Sequence, residues 1–405
     1  MNIDAGSGYS FWASIYGDIV VDNTDMTGIG AAYDSTGNLY VYGRADDDNL
    51  ALKYKPDGEL VWRKSWTLDD GAPCGSFNQE ICVQDDKVYF ITNSWIGNTV
   101  SYVGYHDSEG VITAPMTRIE NFQSFDILVD NGNVYTVGRD TIYNRPMAIK
   151  LNPETNEIIW SQQITSPVSG FYNCAAIGTD DNLYAIGTVD ETAVIAEFNS
   201  NNGAVAISSE LVSSWGDFTD GQAVGYYNDH VITLVRINNG FILSKFNKSN
   251  LTTDIWSIKS EEVNAIDARD ISFDGNGFIY VTGSTSNGPT GGDREFYVGK
   301  FDFITGAVIW ERTFGDNASE LDEGVDYTTG TRMAGIYEDR LALTGYTYTN
   351  PISGGSTSNP KAITIQIPTN GSGVGTYDQY ALSARSYSYT TPSITQTLTD
   401  FDFDD

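Results

Sequence analysis

GNGFIYVTGSTSNGPTGGDREFYVGKFDFITGAVIWERTFG, residues 275–315, is the stretch on which the fold turns. It holds three apolar runs, FIYVTG, FYVGKF and AVIW, separated by clusters of Gly, Asn, Asp, Ser and Thr. Short runs of alternating apolar residues bounded by turn formers read as half-buried strands. Working outward, the first run recurs as NLYVYG at 38–43, KVYFIT at 87–92, NVYTVG at 133–138, NLYAIG at 182–187, HVITLV at 230–235 and RLALTG at 340–345. The third positions of the seven runs are residues 40, 89, 135, 184, 232, 280 and 342, with spacings of 49, 46, 49, 48, 48 and 62. A repeat of about 48 residues is one supersecondary unit used seven times.

The other strands of the unit fall into place around this run. The next strand reads ALKYKPDG, SYVGYHDSEG, MAIKLNPET, VIAEFNSNNG, ILSKFNKSN, YVGKFDFITG and AITIQIPTNG, each closed by Asn/Asp/Pro/Gly turn chemistry. A further strand carries Trp62, Trp160, Trp256 or Trp310, and one more precedes the first run, as in SFDILVD and ARDISFD. No stretch of ten residues has the period of an amphipathic helix. The chain is therefore all-β, a seven-bladed β-propeller of four-stranded blades. Gly43, Gly138, Gly187, Gly283 and Gly345 end the recurring run, where glycine permits a bulge or a close blade contact. SFWASIYGD at 10–18 matches VIWERTFGD at 308–316 and sets Trp12 in register with Trp310. Residues 10–18 are thus expected to close the propeller as the outer strand of the seventh blade. The division expected is an N-terminal segment, 1–27, the propeller, 28–380, and a short extended tail, 381–405.

The unit at 275–315 resembles the SBBP beta-propeller repeat: a strand ending in VTG, a Gly/Asp-rich connection, a strand, a turn and a W-x-R-T-F-G ending. The first, third and fourth units match in part, whereas the second, fifth and seventh are degenerate: the second lacks the strand-end Gly and the Trp, and the fifth lacks the Gly. The resemblance implies a propeller scaffold of extracellular or virion-associated proteins, mostly without enzymatic assignment, and carries over no catalytic residue. The tail, YALSARSYSYTTPSITQTLTDFDFDD, resembles in composition the polar, repetitive ends of some virion structural proteins of marine bacteriophages. It reads either as a solvated tail or as an arm that adds strands to a partner's sheet.

Composition excludes whole classes of partner. With 54 Asp+Glu against 22 Lys+Arg in 405 residues, the net charge is −32, which repels nucleic acid and anionic membrane surfaces. No apolar run reaches the length of a membrane span, and no basic region followed by an apolar core opens the chain. The expectation is synthesis in a cytoplasm, with the virion as the final location. Cys74, Cys82 and Cys174 lack CxxC spacing and read as ordinary thiols, with a Cys74–Cys82 bridge as the alternative.

Catalytic equipment is sparse. His106 in YHDSEG and His230 in HVITLV lack the neighbours of a nucleophilic constellation, and neither a phosphate-binding loop nor HExxH is present. Abundant carboxylates leave a glycosidase pair open but unsupported. The turn-plus-tryptophan pattern is similar to the tryptophan-docking repeat of quinoprotein dehydrogenases, whose quinone and calcium ligands have no counterpart here; blade packing explains the tryptophans better. No cofactor is expected. Asp46, Asp47 and Asp48, with Asp274, offer hard oxygens for a structural calcium ion, although hairpins need the same residues.

The connections give the functional expectation. First–second and third–fourth links are short, whereas second–third links and links between blades are long and irregular, so the long-loop end is the candidate partner face. Trp95, Tyr143 and Trp215 lie in those loops as candidate contacts for a protein or a glycan. The function expected is a non-enzymatic structural or adhesive component of a bacteriophage particle, part of a larger assembly. It would bind other virion proteins or a host-surface glycan. The alternatives are a secreted or cell-surface bacterial adhesion protein and a glycan-degrading enzyme.

Overall fold

The computed structural model describes residues 2–4, 12–16, 26–45, 47–68, 80–94, 99–112, 114–164, 168–213, 219–238, 240–260, 266–285, 295–316, 329–349, 356–372, 375–377, 380–385, 389–390, 394–398 and 403–404. Among these residues there is no helix, and the strands form seven antiparallel sheets. The fold is the seven-bladed β-propeller that the repeat predicts.

The chain divides into two compact units. The first, Met1–Gly71 with Glu261–Ser388, holds blades 1, 6 and 7. Blade 1 runs Met26–Tyr33, Leu39–Ala45, Asp48–Tyr54 and Leu60–Trp66. Blade 6 runs Ile266–Phe273, Phe278–Thr285, Glu295–Asp302 and Val308–Asp316. Blade 7 takes Thr329–Tyr337, Arg340–Thr349 and Ser356–Pro368 from the C-terminal side, and its fourth strand, Trp12–Tyr16, from the N-terminus. Trp12 pairs with Gln366 as Trp310 pairs with Lys300, so the sequence match gave the register to the residue. Asn2–Asp4 adds a fifth strand beyond it.

The second unit, Ala72–Ser260 with Tyr389–Asp405, holds blades 2 to 5. Blade 3 is Phe122–Asp130, Asn133–Asp140, Arg145–Asn152 and Glu157–Ile164. Blade 4 is Gly170–Ile177, Asn182–Val189, Thr192–Asn199 and Val205–Ser213. Blade 2 spans Ile81–Gln84 to Thr117–Glu120, and blade 5 spans Asp220–Tyr227 to Asn250–Ser260.

Period-2 alternation packs each sheet against the next. Tyr135, Val137 and Ala148 of blade 3 meet Tyr172, Leu183 and Phe198 of blade 4. In the first unit Tyr280, Phe296 and Val298 of blade 6 meet Leu341, Leu343 and Ile365 of blade 7. Each valine, leucine, isoleucine or phenylalanine among them contributes about 1.5–3 kcal/mol on burial. The strand-end glycines answer to a bulge in the first strand of the same blade. Register shifts between Ser124 and Asp126, Tyr172 and Cys174, and Ala268 and Asp270 lie opposite Gly138, Gly187 and Gly283. A Cβ on Gly187 would stand 1.9 Å from the carbonyl oxygen of Phe171, and one on Gly138 1.9 Å from that of Gln123. Blade 5 lacks the glycine because its pair is reversed: Val235 stands in the second strand and Gly221 in the first.

The tail adds strands to this chain's own blades. In the first unit Tyr380–Arg385 pairs with Asp316–Glu311 of blade 6 and forms a hairpin with Gly375–Tyr377. In the second unit Tyr389–Thr390 pairs with blade 5, Ile394–Leu398 with blade 4 and Phe403–Asp404 with blade 3. Alternation in SARSYSYTT and SITQTLTDFDF thus serves strand addition within the chain, where the sequence suggested a partner's sheet.

Candidate partner-binding surface

The recurring aromatic and cationic side chains form a brace at the third–fourth end of blades 1, 3 and 6. In blade 3, Lys150 sits between Tyr135 and Trp160 on neighbouring strands. Its Nζ lies 5.0 Å from the Tyr135 ring centroid, and the Tyr135 and Trp160 rings are 6.2 Å apart. Lys150 Nζ and Trp160 Nε1 both donate to the Ser200 carbonyl of blade 4, at 2.9 and 3.0 Å. Blade 6 repeats this with Lys300, Tyr280 and Trp310, whose Nζ and Nε1 donate to the Thr369 carbonyl of blade 7 at 3.2 and 3.1 Å. Burial pushes the Lys300 ammonium below the ordinary lysine value despite Asp274, whose Oδ2 lies 3.6 Å away. Tryptophan here is a blade-to-blade fastener, as the sequence reading preferred to a quinone-binding role.

A second fastener was not singled out in the sequence. Asp126 Oδ1 accepts from the Ile127 N–H and Oδ2 from the Ala175 N–H of blade 4, both at 2.8 Å. Asp270 does the same with Ile271 and with Met333 of blade 7, at 2.8 and 2.9 Å. The signal was present: SFDILVD and ARDISFD share aspartates four residues apart.

Of the three candidate aromatics, Trp95 and Trp215 lie outside the described residues. Tyr143 is described and stands out. It caps the 141–144 turn between the second and third strands of blade 3, and both Tyr143 and Ile142 are 61% exposed. The turn is held in place from below, since Asp140 accepts from the backbone N–H of Ile142 at 3.1 Å and of Tyr143 at 2.9 Å. The Arg145 guanidinium sits 4.8 Å from the centroid of the Tyr143 ring. An aromatic and a branched aliphatic side chain are thereby presented to solvent on a fixed turn.

The loops differ in part from expectation. Second–third links are tight in blades 4 and 5, turning at 190–191 and 238–239, and long in blade 6, 286–294. One long connection lies at the opposite end, at 108–116 of blade 2. A set of exposed aliphatics was also missed. Leu60 and Val61, Ile158 and Ile159, Ile255, and Val308 and Ile309 precede the tryptophans of four fourth strands. Bulges at Lys53/Tyr54, Lys150/Leu151 and Lys300/Phe301 break the alternation there, and the doubled aliphatics before Trp were its trace in the sequence.

Asp46 falls outside the described residues, while Asp47 and Asp48 lie in the turn and third strand of blade 1. Among the described residues no group of three or more His, Cys, Asp or Glu side chains is placed to hold a metal ion. Asp274 instead accepts from the backbone N–H of Asn276 and Phe278 and closes a turn. His106 is buried in the third strand of blade 2 rather than in a turn, with Nδ1 2.7 Å from the Asp107 carbonyl oxygen. His230 opens the second strand of blade 5, with Nδ1 2.6 Å from the Asn228 carbonyl oxygen. Cys82 is a free thiol that burial pushes up to about 11, far from a reactive thiolate. Cys74 lies outside the described residues.

Comparison with known proteins agrees with this architecture. Among curated proteins the sequence has no match. Among the solved structures similar to this chain are "COPII on membranes, outer coat vertex", with TM-score 0.54 and 9% identity over 89% of this chain and 88% of that one, and "The structure of the COPII coat assembled on membranes", with TM-score 0.54 and 9% identity over 89% of this chain and 49% of that one. At this identity the likeness is one of fold. The family model of the beta-propeller repeat SBBP matches residues 263–289, the first two strands of blade 6. The chain is a seven-bladed β-propeller carrying an SBBP beta-propeller repeat.

Proposed function

We propose that the propeller is a non-enzymatic scaffold that binds a neighbouring protein of a larger assembly through the second–third turn of blade 3. The observation that carries this reading is the fixed exposure of Ile142 and Tyr143 on a turn anchored by Asp140. Ordered, exposed aromatics backed by a cation are the residue type that dominates protein contacts. The same fold serves in the COPII outer coat, which shows that such a ring of blades suits assembly work without assigning it here.

The finer reading is a bacteriophage virion component, supported by the SBBP resemblance and by the composition of the tail. Mass spectrometry of purified particles from the source virus is the test, together with cross-linking of Tyr143-bearing peptides to a neighbour. A chain missing from the particles ends the virion reading. A Tyr143→Ala, Ile142→Ser double variant that is incorporated and cross-linked like the native chain ends the assignment of this turn. Glycan-array binding lost in the same variant would favour the adhesion protein instead.

A further inference from the structure

We propose that Arg139, held between Gln123 and Asn144 and beside the rings of Phe125 and Phe171, is a binding site for a small organic acid. The carboxylate takes the guanidinium, and the apolar body of the acid takes the two rings. Two blades of the repeat differ at this place. Arg139 in blade 3 and Arg236 in blade 5 hold the same register position in their second strands, opposite Gln123 and Asp220 of the first strands. In blade 5 the guanidinium has its counter-charge, since Arg236 Nη2 lies 2.6 Å from Oδ2 of Asp220, which is only 4% exposed. Asp220 also accepts from Thr188 Oγ1 and Asn173 Nδ2 of blade 4. Blade 3 has an amide instead, and Gln123 is as deeply buried, at 4% exposure.

Among the described residues, the partners of Arg139 are all neutral. Its Nε donates to Gln123 Oε1 and its Nη1 to Asn144 Oδ1, both at 2.8 Å, and its Cζ lies 6.0 Å from the Phe125 ring centroid. The neighbouring acids are engaged elsewhere. Asp126 accepts from the N–H of Ile127 and Ala175, Asp140 from those of Ile142 and Tyr143, and Asp190 from that of Ser169. Burial pushes the Arg139 guanidinium below the ordinary arginine value, and no carboxylate offsets the shift. In a chain with 54 acids and 22 bases, a half-buried cation left to neutral partners is an imbalance that a bound carboxylate corrects.

The guanidinium is oriented in advance of any ligand. Gln123 and Asn144 hold it at two points, and Asn144 is itself fixed because its Nδ2 donates to Ser169 Oγ at the start of blade 4. Those two bonds leave both N–H groups of Nη2 to donate to a carboxylate. Phe125 and Phe171 are half-buried, with ring centroids 5.3 Å apart across blades 3 and 4. A few fixed polar groups beside apolar rings are the make-up of a small-molecule site. Because Arg139 is half-buried while Tyr143 stands exposed on the neighbouring turn, the occupant is a small acid rather than the surface of a folded partner. The site is therefore independent of the role given to Tyr143.

Titration of the full chain with benzoate tests the proposal, followed by calorimetry and by the Arg139 Nε–H signal in nitrogen–proton correlation spectra. That signal is the one missing from an Arg139→Gln variant. Benzoate should bind and shift it; acetate, which lacks the ring, should bind more weakly, and benzamide, which lacks the charge, should not bind. Arg139→Gln should lower benzoate affinity about ten-fold or more. Gln123→Glu preserves shape and gives blade 3 the internal carboxylate that blade 5 already has. It should lower the affinity as much, with the native β circular dichroism signal retained. A native chain that takes up no benzoate overturns the proposal. So does acetate or benzamide binding as tightly as benzoate, or benzoate affinity that survives either substitution.

Discussion

At the residue scale, two positions show how packing and charge act in opposite directions on the repeat. Gly187 is required because the bulge of the adjacent strand drives the Phe171 carbonyl to where a Cβ would be. Gly187→Ala should lower stability by about 1–3 kcal/mol or more, read as a drop in urea midpoint, because backbone cannot move aside as a side chain can. At Gly132 nothing lies within 4 Å of a Cβ, and φ of +73° leaves only the backbone term, so alanine there should cost about 1 kcal/mol. Glu197 is the opposite case, an acid where blades 1, 3, 5 and 6 place lysine. Burial raises its carboxyl above the ordinary 4.5, and the like charge of Asp180 adds to this, against the hydrogen bond from Asn182. The folded state therefore holds the proton more tightly than the unfolded one, so this group's contribution is full below 4.5 and declines as pH rises through the raised value. Glu197→Gln should accordingly raise the urea midpoint at neutral pH, and the gain should vanish in acid below 4.5. An unchanged midpoint at neutral pH would show that the buried charge carries no cost.

At the scale of elements, the tail strands are separable from the blades they cover. Ile394–Leu398 protects the backbone of Ser209–Ser213, whereas Asn182–Val189 and Thr192–Asn199 are paired on both sides without it. Removal of residues 389–405 should therefore speed amide exchange across 209–213 while the two central strands of blade 4 stay protected. Equal protection with and without the tail would mean that this pairing is not formed in solution. The elements were also where the sequence was most legible. The period of the LYVYG-like run located all seven second strands, because each is buried on both faces and must be apolar throughout. The Trp12–Trp310 match placed the N-terminal strand because both residues hold the same register position, opposite Gln366 and Lys300 of the third strand. The tail was harder: its strands are short and polar, and nothing in Thr397 or Gln396 says which edge they choose. The site was less legible still. Tyr143 could be read as a loop aromatic, but its fixed exposure depends on Asp140 and Arg145 folding beneath it.

At the scale of the whole molecule, the acidity that excluded nucleic acid now has a location. Acids close the turns at Asp34, Asp107, Asp274 and Asp302, where each carboxylate accepts backbone N–H groups two to four residues on. At these turns the negative charge is the by-product of a fold made of hairpins. The pairing of Trp12 with Gln366 has one further consequence, for synthesis. Trp12–Tyr16 finds its neighbour, Ala362–Gln366, only after more than 340 further residues have been made, so blade 7 cannot be completed on a chain that stops short of it. Because domains generally fold as units in the order of synthesis, blades 1 to 6 can form while Trp12–Tyr16 waits for its blade 7 partner. A contact of such sequence separation is among the slowest to form. Completion of blade 7 is in this way timed by translation of Ser356–Pro368, and a chain stalled before it leaves Trp12–Tyr16 without its neighbouring strand.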